Sequence, residues 1–158
     1  MLGTDSLGQD RMTVPDGCPD CGALVSGARE GCNALWHELF YSGATTVAAF
    51  DAYCMQHLEQ YCASAKSYAA HLTRLCCGVE FDGDPRVYAA IQKWLNGNRL
   101  LEKPSILPFL GSMTITDIRD ASPTERTRVT QAWVADVWAA YAPQHELARE
   151  WIRQALAH

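Results

Sequence analysis

Seven cysteines in a chain of 158 residues fall into two groups, and the first has a spacing that can do chemistry. Cys18 and Cys21 flank Pro19-Asp20 and are followed by Gly22, a turn in which two thiolates and several backbone N–H groups can converge on one cation. Cys32 follows closely enough to add a third soft donor, and zinc (Zn2+) is the natural occupant of such a set. Tetrahedral zinc asks for a fourth ligand. His37, His57 and Cys54 are the candidates, and spacing alone leaves all three open. The competing reading of the Cys18–Cys21 pair is a redox dithiol or two reduced surface thiols. A thioredoxin-like pair would follow a strand and open a helix, and no such unit is predicted here.

A second set of polar side chains, Asp51, Tyr53, Gln56, His71 and His145, sits on segments that are otherwise apolar, as expected of a small site lined by the interior of a helical bundle. The plainer alternative puts Asp51 and Gln56 in solvent, packs Tyr53 with its hydroxyl outward, and has His71 and His145 cap or hydrogen-bond neighbouring helices. Asp136 falls among Ala132, Trp133 and Ala140 on an inner face, so it is either paired in the interior or marks a cleft. The adjacent Cys76 and Cys77 point about 100° apart on a helix and read as small core residues rather than a redox pair.

The elements that must position these groups are helical. From Cys18 to Cys32 the chain is rich in Gly and Pro and reads as a loop or knuckle, with a short helix beyond it carrying His37. Apolar residues then recur at threes and fours. One helix is predicted over about 44–61, with Val47, Phe50, Cys54, His57, Leu58 and Tyr61 on one face, and another over about 64–80, ending at the Phe81-Asp82-Gly83-Asp84 turn. Asp84-Pro85 caps a third helix that runs to about Gly97. The two prolines between Glu102 and Gly111 predict an extended connection. Ser122, Pro123 and Glu125 spell a capping box for a helix over about 123–142. Pro143 breaks the chain before a last helix over about 144–157. The five tryptophans read as large core residues; Trp133 and Trp138 stand about 140° apart on their helix, which implies that both faces are covered.

Bulk composition narrows the function classes. Hydrophobic residues make up 48% of the chain, enough for one core. The expectation is a disordered leader over 1–13 and a single domain over 14–158, with the metal-binding segment at 14–40. A formal net charge of −5 with no basic run argues against nucleic acid and anionic membrane surfaces as partners. The first residues carry no signal-peptide pattern, and no stretch approaches the roughly 18 apolar residues of a membrane span, so the expected location is cytoplasmic.

The motifs in order, Cys18-Pro19-Asp20-Cys21-Gly22-Ala23, Gly31-Cys32, Asp51-x-Tyr53-x-x-Gln56-His57, His71-Leu72 and Trp133-x-x-x-Val137-Trp138, resemble a family of small uncharacterised bacterial proteins that reads CPxCGA, GC, DxYxxQHP, HLxxLC and WAxxVWxAW. The likeness spans the chain from Cys18 to Trp151. It implies a Cys3His zinc site closed by His57, because the pattern has no counterpart to His37. Leu58 stands where the family has proline, and Thr46 where a histidine often precedes the Asp51 segment. The resemblance implies no activity. The expected architecture is all-α, a bundle of about five helices with an N-terminal zinc-knuckle loop. Two function classes follow: a binding or accessory module with a protein or small-molecule partner, or a small-molecule enzyme, with specialised metabolism as one setting, whose site uses His71 and His145.

Overall fold

The computed structural model describes residues 16–43, 46–97, 100–104 and 108–157; the leader expected over 1–13 lies outside them. Among the described residues there are eight α-helices and no strands. They are α1 (Ala28–Tyr41), α2 (Val47–Met55), α3 (Leu58–Tyr61), α4 (Ala65–Glu80), α5 (Pro85–Asn96), α6 (Ile115–Asp120), α7 (Arg126–Ala140) and α8 (His145–Leu156), with one 3-10 turn at Ala142–Gln144. The all-α reading holds, with more helices than the five expected.

Helix α2 is the hub. Six of its nine residues are wholly buried, and all of these but Asp51 are hydrophobic, the pattern of a helix that neighbours cover all round. It packs on α4 and α7, while α4 also packs on α5, α7 and α8, and α1 packs on α6. One core runs through these elements, with Tyr53, Tyr68, Trp94, Trp133, Tyr141 and Ile152 among its largest fully buried side chains. All five tryptophans are buried, including both Trp133 and Trp138.

Local chemistry explains most boundaries. Ser64 caps α4 by accepting from Ser67 N, and Asp84 caps α5 by accepting from Arg86 N, with Pro85 in the first turn. Asp82 (φ 52) and Gly83 (φ 65) turn the chain between α4 and α5.

Four expectations are corrected. The helix expected over 44–61 is two helices: Thr46 caps the first, and the chain leaves helical geometry at His57 (φ −132, ψ 57) before α3. Residues 44 and 45 lie outside the described residues. Val47, assigned to the inner face, is exposed. Cys32 is not on a loop, because α1 begins four residues earlier and is a full 14 residues long. The capping box predicted at Ser122 does not form. Pro123–Glu125 make a turn, Glu125 pairs with Arg128 at 2.6 Å, and α7 starts at Arg126 with no side-chain cap. A capping box does occur at Thr114 and Asp117, which opens the unpredicted α6. The connection over 102–111 is without regular structure where it is described.

Candidate metal centre

Four donors meet where the knuckle, α1 and the α2–α3 break converge. The knuckle is folded by its backbone: Gly22 N donates to Cys18 O at 2.8 Å and Cys18 N to Ala23 O at 2.9 Å, which brings the Cys18 and Cys21 side chains to one side of the turn. Helix α1 then presents Cys32 from its second turn. Its entry is close. A Cβ on Gly31 would lie 1.8 Å from the Ser26 carbonyl oxygen, so only glycine lets α1 start tight against the knuckle and carry Cys32 to the cluster.

His57 arrives from the other side. Gln56, fully buried, ends α2: its Nε2 donates to Met113 O at 2.9 Å and its Oε1 accepts from Trp133 Nε1 at 3.3 Å. Those bonds fix the point where α2 stops. The His57 ring then folds back so that Nδ1–H donates to Tyr53 O at 2.6 Å, leaving the Nε2 lone pair toward the thiols.

The ligand atoms of Cys18, Cys21, Cys32 and His57 all lie within 4.8 Å of one another, and all four residues are buried. Donors placed tetrahedrally around zinc, at about 2.3 Å for sulfur and about 2.0 Å for nitrogen, stand about 3.8 Å apart for sulfur–sulfur and about 3.5 Å for sulfur–nitrogen. Cys21 and Cys32 are 3.8 Å apart, Cys32 and His57 Nε2 3.5 Å, and Cys18 and His57 Nε2 3.7 Å. Three of the six separations thus match a tetrahedral shell, and the others lie within 4.8 Å.

Its electrostatics point the same way. Burial raises the Cys18 thiol above the ordinary range. The Cys21 thiol hydrogen-bonds Cys32, which pulls Cys32 down to about 4, helped by His57 and Tyr53, and pushes Cys21 up. One thiolate is favoured; three in this volume are opposed by burial and mutual repulsion. A divalent cation in place of the protons removes that conflict. Ala23 N donates to Cys21 Sγ at 3.4 Å, a backbone contact suited to a thiolate.

A polar belt and an aromatic stack hold the ligands from outside. Arg29 grips Asp20 through Nε at 2.7 Å and a terminal nitrogen at 2.9 Å, and holds that carboxyl below the usual range. Gln60 donates to Asp20 Oδ2 at 2.9 Å and accepts from Asn33 Nδ2 at 2.9 Å, so α3 is tied to both the knuckle and α1. The Tyr53 ring lies between Trp36 (centroids 4.7 Å, 9° between planes) and His57 (4.0 Å). Asn33, Trp36 and Gln60 were missed in the sequence, where nothing but their helical phase relative to Cys32 and His57 marks them.

The remaining candidates are placed as follows. His37 is exposed on α1 and stacks on Tyr41 at 6.3 Å, away from the cluster. Cys54 is buried next to Cys62, whose Sγ donates to Cys54 O at 3.7 Å. Burial pushes the Cys54, Cys62, Cys76 and Cys77 thiols up, the last three to about 12, 12 and 11, as expected of inert core residues.

Asp51 and Gln56 are not in solvent: both are fully buried. Asp51 Oδ1 accepts from His71 Nδ1 at 2.9 Å and from Arg74 Nε at 3.3 Å, and burial raises its carboxyl despite both. His145 stacks on Trp138 at 3.8 Å, and its Nε2 meets Trp138 O at 2.6 Å. The Trp138 indole in turn donates to Glu80, at the end of α4. His71 lies nine residues earlier on that helix, about 13 Å along its axis. The two imidazoles thus have separate partners and are not brought into one site. Asp136 is paired, not free: Oδ2 accepts from Met113 N at 2.9 Å and Oδ1 from Ser112 Oγ at 3.1 Å, which anchors the loop before α6.

Fold and site together define a helical protein whose N-terminal segment and α2–α3 break form a buried Cys3His cluster able to hold a metal ion. A family model matches residues 16–142, and the chain belongs to that family, the family of unknown function DUF5946. No curated protein and no solved structure matches the chain. None of its described helices is long and apolar enough to cross a membrane.

Proposed function

We propose that Cys18, Cys21, Cys32 and His57 bind one zinc ion in a closed structural site, and that the helical body it is stapled to serves as a binding or accessory module. The observation that carries this reading is the four-donor shell itself: buried on every ligand, sized for tetrahedral zinc, and supplied with the Nδ1–H to carbonyl bond that fixes a ligating imidazole. Four protein ligands leave no position for substrate, which favours a structural over a catalytic metal. Thiols that must stay reduced fit a bacterial cytoplasm. The net charge of −5 weighs against nucleic acid, leaving a protein or a small molecule as the partner. An enzyme built on His71 and His145 has less support, because each ring is engaged separately.

The test is metal analysis of the purified protein. One zinc per chain is expected, with Cys18→Ser and Cys32→Ser losing it and His57→Ala retaining it only weakly. Protein without stoichiometric zinc, or serine variants that fold and load like the parent, would refute the assignment.

A further inference from the structure

Asp51 is the one acid among the described residues that is fully buried. Every other carboxylate in a described ion pair keeps contact with water. Taking a carboxylate out of water is costly, and here the compensation is incomplete, because Oδ2 is buried with no hydrogen-bond partner. What the arrangement achieves is to hold two side chains. Oδ1 accepts from His71 Nδ1 at 2.9 Å and from Arg74 Nε at 3.3 Å, and these residues stand three apart on one face of α4. Rings steady both: Phe50 meets the imidazole edge-on at 5.5 Å, and the Arg74 guanidinium lies over Tyr88 at 5.2 Å.

The nitrogens that face Asp51 are thereby used, and the remaining ones are free. His71 Nε2 and both terminal nitrogens of Arg74 have no hydrogen-bond partner among the described residues, and each is in contact with solvent. The two side chains keep 16% and 27% of their surface open. Because both are anchored on the same carboxylate oxygen, the three open nitrogens sit side by side in a fixed arrangement.

We propose that His71 and Arg74 form a binding site for a phosphate group, with two of its oxygens on the terminal nitrogens of Arg74 and a third on His71 Nε2. A guanidinium pairs with two oxygens of one oxyanion at once. With Nδ1–H donated to Asp51, a neutral His71 accepts the hydrogen of a singly protonated phosphate at Nε2, and an imidazolium donates there to a bare oxygen. A tetrahedral phosphate offers three oxygens to this set, whereas a carboxylate has two and leaves one nitrogen unused. Asp51 touches no ligand; it is a positioning residue. Since its charge cancels one of the cations, the affinity is modest. The site gives the binding-module reading a ligand class and rests on that reading, but none of its residues is a donor of the cysteine cluster.

The test is a titration of the zinc-loaded protein at constant pH, followed through the histidine Cε1 carbons by nuclear magnetic resonance. Inorganic phosphate should move one of the five histidine resonances, the one missing from His71→Gln, saturably and in the millimolar range, while sodium chloride at matched ionic strength leaves it in place. Glycerol phosphate run beside it tells an ester from the free ion, and binding of either supports the site. Acetate should bind more weakly than both. Arg74→Lys keeps a cation on Asp51, and with it the tie between α2 and α4, but has no second nitrogen to offer, so phosphate affinity should fall about tenfold. Zinc content and helicity measured on each variant separate failure of this site from failure of the metal site or of folding. The proposal is overturned if neither phosphate moves the His71 resonance, if sodium chloride moves it as far, if acetate binds as tightly, or if Arg74→Lys binds phosphate like the parent.

Discussion

The Tyr53 hydroxyl stands 3.3 Å from Cys32 Sγ and donates to Asn33 Oδ1 at 2.8 Å, while the ring beneath it is clamped between Trp36 and His57. The same residue's carbonyl holds His57 Nδ1. One residue thus touches two of the four cluster side chains, and it does so separately: the carbonyl sets the imidazole, and the hydroxyl, whose one proton goes to Asn33, stands beside the Cys32 sulfur. Tyr53→Phe removes only the second. The ring stack and the His57 bond survive, so the fold should be unchanged, but Cys32 loses a polar neighbour and Asn33 Oδ1 loses its donor. Outer partners of ligands are worth about 10- to 100-fold in metal affinity, and a fall of at least about tenfold is expected in competition with a chelator of known zinc affinity. An unchanged affinity would mean that the hydroxyl serves Asn33 alone.

At the scale of elements, what decides the site is where helices start and stop. Some boundaries that rest on neighbouring residues were legible, such as the Asp84–Pro85 cap of α5 and the Asp82–Gly83 turn that closes α4, although the equally local Thr114–Asp117 box of α6 was missed. The boundaries that rest on distant residues were not. The α2–α3 break is set by Gln56 bonding Met113 and Trp133, 57 and 77 positions away, and no local pattern records that. The same distance hid the burial of Asp51, whose partners come from α4. The three cysteines were legible from the knuckle motif, and the choice of His57 came with the family pattern; the placement of Cys32 on a helix was masked by the glycines around it. Gly31 looked like a loop residue because the close approach of Ser26 demands a residue without a side chain. Gly31→Ala should therefore act through geometry. The methyl meets a backbone carbonyl that cannot swing aside, α1 must shift, and overpacking of this kind costs about 1–3 kcal/mol. A lower melting temperature together with weaker zinc binding is expected. If zinc affinity holds while the melting temperature falls, α1 moves without carrying Cys32.

Across the whole molecule, the two ends of the chain are held by different forces. In the part from α4 to α8, Trp151 packs on Tyr68 and Trp94, and Trp133 and Tyr141 are buried in the same core, with none of these residues in the cysteine cluster. The knuckle and α1 have far less: Val25, Trp36 and Leu39 are their large buried apolar residues, α1 packs on the short α6, and the polar belt through Asp20, Asn33 and Gln60 is partly exposed to water. In small zinc modules, metal binding is worth about 10–16 kcal/mol, which equals or exceeds the whole stability of an ordinary domain at about 5–15 kcal/mol. On the proposed zinc assignment, stripping the ion with a chelator should therefore split the molecule rather than melt it. Without the cation, three buried thiols and an imidazole lose their common partner and the N-terminal segment loses its main tie, while the aromatic core of the body persists. Hydrogen exchange followed by mass spectrometry should show protection lost over residues 16–41 and 57–61 and retained over 65–96 and 126–156. Circular dichroism should fall by no more than the share of α1 and α3. Loss of protection across all helices at once would show that the metal supports the entire core, and no change anywhere would show that the cluster is held by packing alone.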